Sequence, residues 1–316
     1  SKTGDTYTSK VISTPSDPSV GFINALKKLL DDQHIDPDKL DYVFHATTVA
    51  TNAIIEGKTA STAFVTTKGF RDMLEIQRQI SPSLYDLQFE KPRPLVPRYL
   101  CFGIPERMDF QGKILTKLDT DSVREVARQL KKEGVESIAV CYLHAYINNE
   151  HEAQTEELLK EEFPEAIVSL SSEIAPEFRE YLRASTTVIN AAVRPIVSRY
   201  LISIESRLKA AGLSAELLVM QSNGGVLTFG AASDKPVFMV ESGPAAGVIA
   251  ASYLGNTLGS PNVLSFDMGG TTAKTGLVRN GTPTITKDYE VGVAAGGTGT
   301  GVQGAGYPIR TPVIDL

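Results

Sequence analysis

Asp267 stands at the head of the run Asp267-Met268-Gly269-Gly270-Thr271-Thr272, directly after the apolar stretch Val263-Leu264-Ser265-Phe266. The pattern predicts a buried strand that delivers a carboxylate at its C-terminal end. Two glycines then let the backbone turn so that successive N–H groups face an anion, with threonine hydroxyls beside them. Thr275 to Arg279 reads as the returning strand. Amides on phosphate oxygens, with an aspartate on Mg²⁺ or its water, are the chemistry such a hairpin can perform. The same residues also suit an ordinary tight turn that happens to carry an Asp.

Other patterns lack the context their chemistry needs. Gly57-Lys58-Thr59 ends like a phosphate-binding loop, but its required first glycine falls on Asn52. Gly299-Thr300-Gly301-Val302-Gln303-Gly304 follows no strand and opens no helix, because Tyr307-Pro308 comes next. His34, His45, His144 and His151 show no metal-ligand spacing, and Cys101 and Cys141 have no close partner cysteine. A G-x-S-x-G elbow is missing as well, so classical zinc-hydrolase and serine-esterase chemistry both drop out.

The hairpin needs a layered scaffold, and the periodicity supplies one. Ser16-Asp17-Pro18 predicts a capped helix start, with Val20, Ile23, Leu26, Leu29 and Leu30 at helical spacing. Strands are expected at Thr6–Ser13, Tyr42–Ala46, Ala63–Val65, Ser137–Tyr142, Ile167–Leu170, Leu217–Met220 and Val237–Val240. Helices are expected at Thr47–Glu56, Phe70–Ile76, Asp121–Lys132 and Asn149–Glu161, with another opening at Ser242. This alternation predicts an α/β protein with a largely parallel sheet. Residues 81 to 112 carry Pro82, Pro92, Pro94, Pro97 and Pro105, which predicts an extended surface excursion. Glu177 to Ala211 reads as a long helix kinked or divided at Pro195, and the domain change is placed there. Asn280-Gly281 is a strong hairpin-turn signal leading to a strand at Thr284–Thr286, and residues 292 to 306 hold seven glycines, read as a mobile loop.

The 316 residues are 42% apolar and 22% charged, which suits a globular protein with a sizeable core. A net charge of −6, no Trp and 7% aromatics argue against a nucleic-acid binder and an anionic-membrane binder. No apolar run reaches about 18 residues, the length a membrane span requires. Cys101 and Cys141 read as buried thiols of a cytoplasmic protein. The chain opens without Met and stops after Pro312-Val313-Ile314, which reads as the start of a strand, so a fragment is expected.

Asp-x-Gly-Gly-Thr after a strand resembles the phosphate hairpins of the actin, Hsp70-chaperone and sugar-kinase superfamily. More closely, the chain resembles the hydantoinase A / 5-oxoprolinase family from end to end. The stretches that carry the resemblance are His45-Ala46-Thr47-Thr48-Val49-Ala50-Thr51-Asn52, Val65 to Asp72 with Leu74-Glu75-Ile76, and Ser185 to Ala191 with Arg194-Pro195. Gln221-Ser222-Asn223-Gly224-Gly225 and Ser242-Gly243-Pro244-Ala245-Ala246-Gly247 continue it. One departure stands out: Ala273-Lys274 occupies the place of the family's usual Thr-Asp, so a base replaces an acid. Lys274 could meet a phosphate oxygen, pair with Asp267, or simply be an exposed lysine.

The resemblance implies a ribonuclease-H-like two-domain architecture, truncated at both ends. Residues 1–185 would form a first α/β domain without its own phosphate hairpin. Residues 186–316 would begin a second domain whose hairpin spans 263–287. It implies ATP and Mg²⁺ as cofactors, a cyclic amide as substrate, a hydantoinase B-type subunit or domain as partner, and an oligomer. The implied reaction is phosphorylation of the amide oxygen followed by ring opening; a ketone carboxylase subunit, or a piece that is non-catalytic alone, are the alternatives. Asp267 is then expected on Mg²⁺ or as a base near the transferred phosphoryl group, and Gly269, Gly270, Thr271 and Thr272 on phosphate. Gln221, Asn223 and Gly224 end a strand and could line the nucleotide cleft or merely turn the chain. Gly243 and Gly247 open a helix whose free N–H groups favour an anion, although close helix packing would explain them equally. His45 is placed in the same cleft, in a catalytic or a structural role. Arg78 and Gln79 are weaker substrate-side candidates.

Overall fold

The computed structural model describes residues 6–14, 16–81, 85, 87–268, 273–292 and 304–316. Helix α1 (Pro18–Asp32) starts where expected: the Asp17 side chain accepts from Ser19 N at 3.1 Å, and Pro18 takes a first-turn position where its missing N–H has no partner to lose. Strand β1 (Tyr42–His45) leads into α2 (Val49–Ile55). Next comes a four-stranded parallel sheet of β2 (Thr62–Thr67), β3 (Cys101–Ile104), β4 (Ser137–Cys141) and β5 (Ile167–Leu170), in the order β3-β2-β4-β5. Every residue of β2 and β4 is buried, the pattern of strands covered on both faces. Helices α3 (Thr120–Lys132) and α4 (Glu150–Glu162) make the crossovers and pack on each other. The α/β class expected from the alternation is the class observed.

A 31-residue helix, α5 (Glu180–Ala210), joins this sheet to the rest. Its N-terminal half lies against β4 and β5 and its C-terminal half against α1, so it contributes side chains to both main cores. Pro195 does not divide it; burial of almost every residue from Leu182 to Val193 outweighs the one lost hydrogen bond. Strands β6 (Glu216–Met220) and β7 (Val226–Thr228) follow, and β1 pairs with β6 in parallel, Tyr42 opposite Glu216. That pairing crosses the 185/186 boundary expected from sequence, which itself falls inside α5.

Helix α6 (Ser242–Thr257) then packs on one face of the hairpin β8 (Val263–Met268) and β9 (Ala273–Arg279). Asn280 and Gly281 both take positive φ (50° and 75°), as a two-residue turn of this hand requires, and β10 (Thr282–Pro283) returns along β9. The pairs β11 (Ile285–Thr286) with β14 (Val313–Ile314), and β12 (Tyr289–Val291) with β13 (Tyr307–Ile309), complete the order.

Several local expectations need correcting. Thr6–Ser13 forms no strand; Thr14 instead turns the chain into α1, its hydroxyl donating to Asp17 O at 2.6 Å and accepting from Gly21 N at 2.9 Å. Val237–Val240 is a buried 3₁₀ turn (Pro236–Met239), a case where a short apolar run has no readable period. Phe70–Ile76 shortens to one helical turn, Met73–Ile76. The proline-rich excursion contains β3, an edge strand flanked by Pro97 and Pro105, positions that spare the ladder. Thr284–Thr286 is preceded by the true hairpin strand β10, while Ile285–Thr286 pairs with β14. Residues 293–303 of the glycine-rich stretch lie outside the described residues. Cys101 and Cys141 are buried free thiols, and burial pushes the Cys101 thiol up to about 12.

Candidate functional site

The register of the β8–β9 hairpin places Asp267 directly opposite Lys274. Side chains alternate along a strand, so Val263, Ser265 and Asp267 share one face with Lys274, Gly276 and Val278. This is the face covered by α6, where a Cβ on Gly276 would lie 2.3 Å from Val248. Asp267 and Lys274 stand where that cover ends, in an open cleft shared with Gly247, Ser265 and Leu316. A Cβ on Gly247 would meet nothing within 4 Å, so the helix surface there is open to the cleft. Strand β8 is not the buried strand expected. Only its α6 side is covered, and Leu264, Phe266 and Met268 on the other side are 65–70% exposed. The phosphate-binding residues expected at the tip, Gly269, Gly270, Thr271 and Thr272, lie outside the described residues.

Lys274 is not an exposed hairpin lysine, and its ion-pair partner is not Asp267. Its Nζ donates to Glu241 Oε1 at 3.2 Å and to Tyr289 Oη at 3.1 Å. Glu241 is 2% exposed, caps α6 in the left-handed region (φ 67°), and donates its own N–H to Thr51 Oγ1 at 3.0 Å. A non-glycine residue held in that region is a strained position that packing must maintain. Burial and the Glu241 charge together hold the Tyr289 hydroxyl far above its ordinary range, so it stays protonated. Ser242 clamps the same junction: Thr47 N donates to Ser242 Oγ at 3.3 Å, and Ser242 Oγ donates to Thr47 O at 3.0 Å. A Cβ on Gly243 would come within 3.0 Å of Thr48 Cγ2. The segment after His45 therefore meets the N-terminus of α6, and Gly243 serves that close approach while Gly247 faces open space.

Gln221, Asn223 and Gly224 build the β6–β7 turn. Gln221 N donates to Gly225 O at 2.7 Å, Gly225 N to Asn223 Oδ1 at 2.8 Å, and Gly224 takes φ 85° beside Ile249 and Ile314. The turn is fixed from behind by Ser222, whose N donates to Phe238 O and whose O accepts from Ile314 N. Glu241, Tyr289, Thr51 and Ser222 were not singled out by sequence. A carboxylate directly before the Ser242-Gly243-Pro244 helix start is the one local signal that could have marked Glu241.

Residues 1–163 match the model for the hydantoinase/oxoprolinase N-terminal region, and residues 183–316 match the hydantoinase/oxoprolinase model. The chain belongs to the hydantoinase/oxoprolinase family. It is 43% identical over 312 residues to an uncharacterized protein of Methanocaldococcus jannaschii, covering 97% of this chain and 45% of the relative. It is 29% identical to caprolactamase subunit alpha of Pseudomonas jessenii, covering 92% of this chain and 43% of that subunit. The crystal structure of that ATP-dependent caprolactamase superposes with a TM-score of 0.82, at 28% identity over 96% of this chain and 43% of the other. A nucleotide-free acetone carboxylase, from work on ATP-dependent acetone carboxylation, gives 0.85 at 25% identity over 97% and 43%. The chain thus spans under half the length of these relatives. Among the described residues, no helix is long and apolar enough to cross a membrane.

Within this family fold His45 closes β1 and is 6% exposed, with Nε2 3.0 Å from Tyr200 Oη and Phe22 edge-on to its ring. Burial pulls its pKa down from 6.5 to about 4, so it is neutral at neutral pH. Protonation therefore favours the unfolded chain. His45's contribution is complete above about pH 6.5, fades as pH falls, and is lost below about 4, amounting to roughly 3 kcal/mol. Urea denaturation from pH 7 to 4 should show this slope, and His45→Leu should flatten it; an unchanged slope removes the assignment.

Proposed function

We propose that this chain forms the nucleotide-binding part of an ATP-dependent cyclic amidohydrolase acting on a hydantoin, 5-oxoproline or another lactam. The observation that carries the proposal is the cleft in which Asp267 and Lys274 face each other beside the open N-terminal turns of α6. When bound, ATP supplies the phosphoryl group that turns a poorly electrophilic amide carbon into an attackable one, and Mg²⁺ offsets the phosphate charge. Asp267 suits such an ion as one carboxylate, because Mg²⁺ keeps waters and phosphate oxygens for its other positions. No three His, Cys, Asp or Glu side chains gather among the described residues, which fits that sparse mode better than an all-protein cage. The first amides of α6 have no intrahelical acceptor and favour an anion, and Lys274, held by Glu241 and Tyr289, adds a fixed positive charge. Gly247 leaves room for the ligand, and we assign Gly269, Gly270, Thr271 and Thr272 to phosphate on their residue types alone. We assign His45 to support of the Thr47–Thr51 segment, given its burial and its bond to Tyr200.

The likeness to acetone carboxylase favours a second reading, in which the same cleft serves a ketone carboxylase. In either case the chain acts with further protein, a B-type subunit or domain, in an oligomer; the caprolactamase relative is itself named as a subunit. The deciding experiment is ADP formation by the whole protein with its partner. 5-Oxoproline, 2-pyrrolidinone or hydantoin should stimulate it. Stimulation only by acetone with bicarbonate replaces the proposal with the second reading.

A further inference from the structure

Two adjoining surface hollows share Gln77 and Tyr181 with each other and no lining residue with the hairpin cleft. Their floor is apolar, from Leu74, Leu95 and Val188, and their rim is polar, from Gln77, Arg78, Tyr181 and Glu290. An apolar hollow with a few convergent polar groups is the usual form of a small-molecule site.

The polar groups at the rim are unevenly satisfied. Glu290 is held by successive backbone donors: Gly304 N reaches Oε1 at 2.9 Å and Oε2 at 3.0 Å, Ala305 N reaches Oε2 at 3.1 Å, and Gly306 N reaches Oε2 at 2.9 Å. Among the described residues Oε1 thus carries a single donor and keeps capacity for another. Arg78 makes no ion pair among the described residues, and the half-buried Tyr181 hydroxyl has no hydrogen-bond partner among them. Tyr181 lies in the first turn of α5, which has no side-chain cap, so the positive end of a 31-residue helix also faces this region. Gln77, which lines both hollows, takes a positive φ of 58°, and so do Gln79 (53°), next to the lining residue Arg78, and Arg179 (84°), two residues before Tyr181. Three non-glycine residues in that conformation mark a surface whose shape is maintained against backbone preference.

We infer that this hollow binds the cyclic amide, its ring on Leu74, Leu95 and Val188, its carbonyl oxygen toward Arg78 and Tyr181, and its N–H toward Glu290. A ring amide is held cis, so its acceptor and donor leave one edge side by side, which matches a cation and hydroxyl set beside a carboxylate. The strand β12 links this hollow to the phosphate side: Tyr289 turns its hydroxyl to Lys274, and the next residue, Glu290, turns the other way into the hollow. The inference rests on the cyclic-amide reading above and adds the place and orientation of the substrate.

Calorimetric titration of the whole protein with 2-pyrrolidinone and N-methyl-2-pyrrolidinone tests it, since the methyl group removes only the N–H donor. The unsubstituted ring should bind at least about tenfold tighter, and Arg78→Gln or Tyr181→Phe should each weaken it about tenfold, the usual weight of one polar contact. Both side chains are at least partly exposed, so the variants should fold, and both should bind ADP as the parent does. Equal affinity for the two rings, or unchanged affinity in both variants, overturns the inference. So does preferential binding of 4-aminobutanoate, the ring-opened chain. If lactam binding follows the expected pattern but ADP neither binds nor forms, the nucleotide reading fails while this site stands. If lactam-stimulated ADP formation keeps its KM in both variants, the site fails and the activity stands.

Discussion

Asp267→Asn should lower substrate-stimulated ADP formation by at least about 100-fold, the scale on which removing one electrostatic contact to a transferred group is felt. The substitution keeps the size and shape of the side chain and removes its charge. Nothing in the described fold depends on that charge: Asp267 lies next to the end of β8 on the exposed rim of the cleft, and among the described residues it makes no ion pair. Lys274 across the hairpin keeps its place because Glu241 and Tyr289 hold it. Stability should therefore change by no more than about 0.5 kcal/mol, as for surface substitutions generally. A loss of turnover without a loss of stability separates a role at the metal or phosphoryl group from a role in the hairpin. Steady-state ADP release and thermal denaturation of the same preparation check both halves. Turnover within about threefold of the parent, a change of under 1 kcal/mol in the barrier, removes Asp267 from the mechanism.

What could be read without the structure follows from how local each signal is. The start of α1 at Asp17-Pro18 and the turn at Asn280-Gly281 are set by two or three adjacent residues, and both are where the sequence places them. Strands β2, β4 and β5 stand out because apolar runs of this length between turn signals have few alternatives. Tertiary partners carry no such mark. The pairing of β1 with β6 joins residues more than 170 positions apart, and β3 hides between prolines whose usual meaning is a loop. Lys274 shows the limit most plainly. A phosphate contact, a pair with Asp267 and plain exposure are all open to it in the sequence, and the register does set it opposite Asp267. Its charge nevertheless goes to Glu241, a buried carboxylate with the greater need for a cation. The exposed face of β8 was missed for a related reason: an apolar strand announces what it can bury, not which faces are covered.

The second large effect is structural. Arg183→Met should lower stability by about 3–5 kcal/mol, the range for removing one partner of a buried charged network. Arg183 is 1% exposed in α5, and each of its three side-chain nitrogens donates: Nε to Ser171 Oγ at 3.2 Å, one terminal nitrogen to Glu177 O at 2.9 Å, and the other to Tyr142 O at 2.7 Å. Its guanidinium also lies 5.2 Å from the centre of the Tyr146 ring. Ser171 in turn donates to Glu152, at 0% exposure, which also accepts from Tyr142 N and Ser172 N. The network closes the C-terminal ends of β4 and β5 against the first turn of α5, the turn that carries Tyr181 to the rim of the second hollow. Methionine fills much of the volume but leaves two carbonyls and the Ser171 hydroxyl oxygen without these donors, and removes the guanidinium that reaches the buried Glu152 through Ser171. Adding Glu152→Gln should restore part of the loss, because the remaining amide carries no charge to strand. Urea denaturation of the two single variants and the double variant gives the coupling. A loss below 1 kcal/mol for Arg183→Met, or strictly additive losses in the double variant, would show that packing alone, without the Arg183–Ser171–Glu152 connection, holds this end of the sheet.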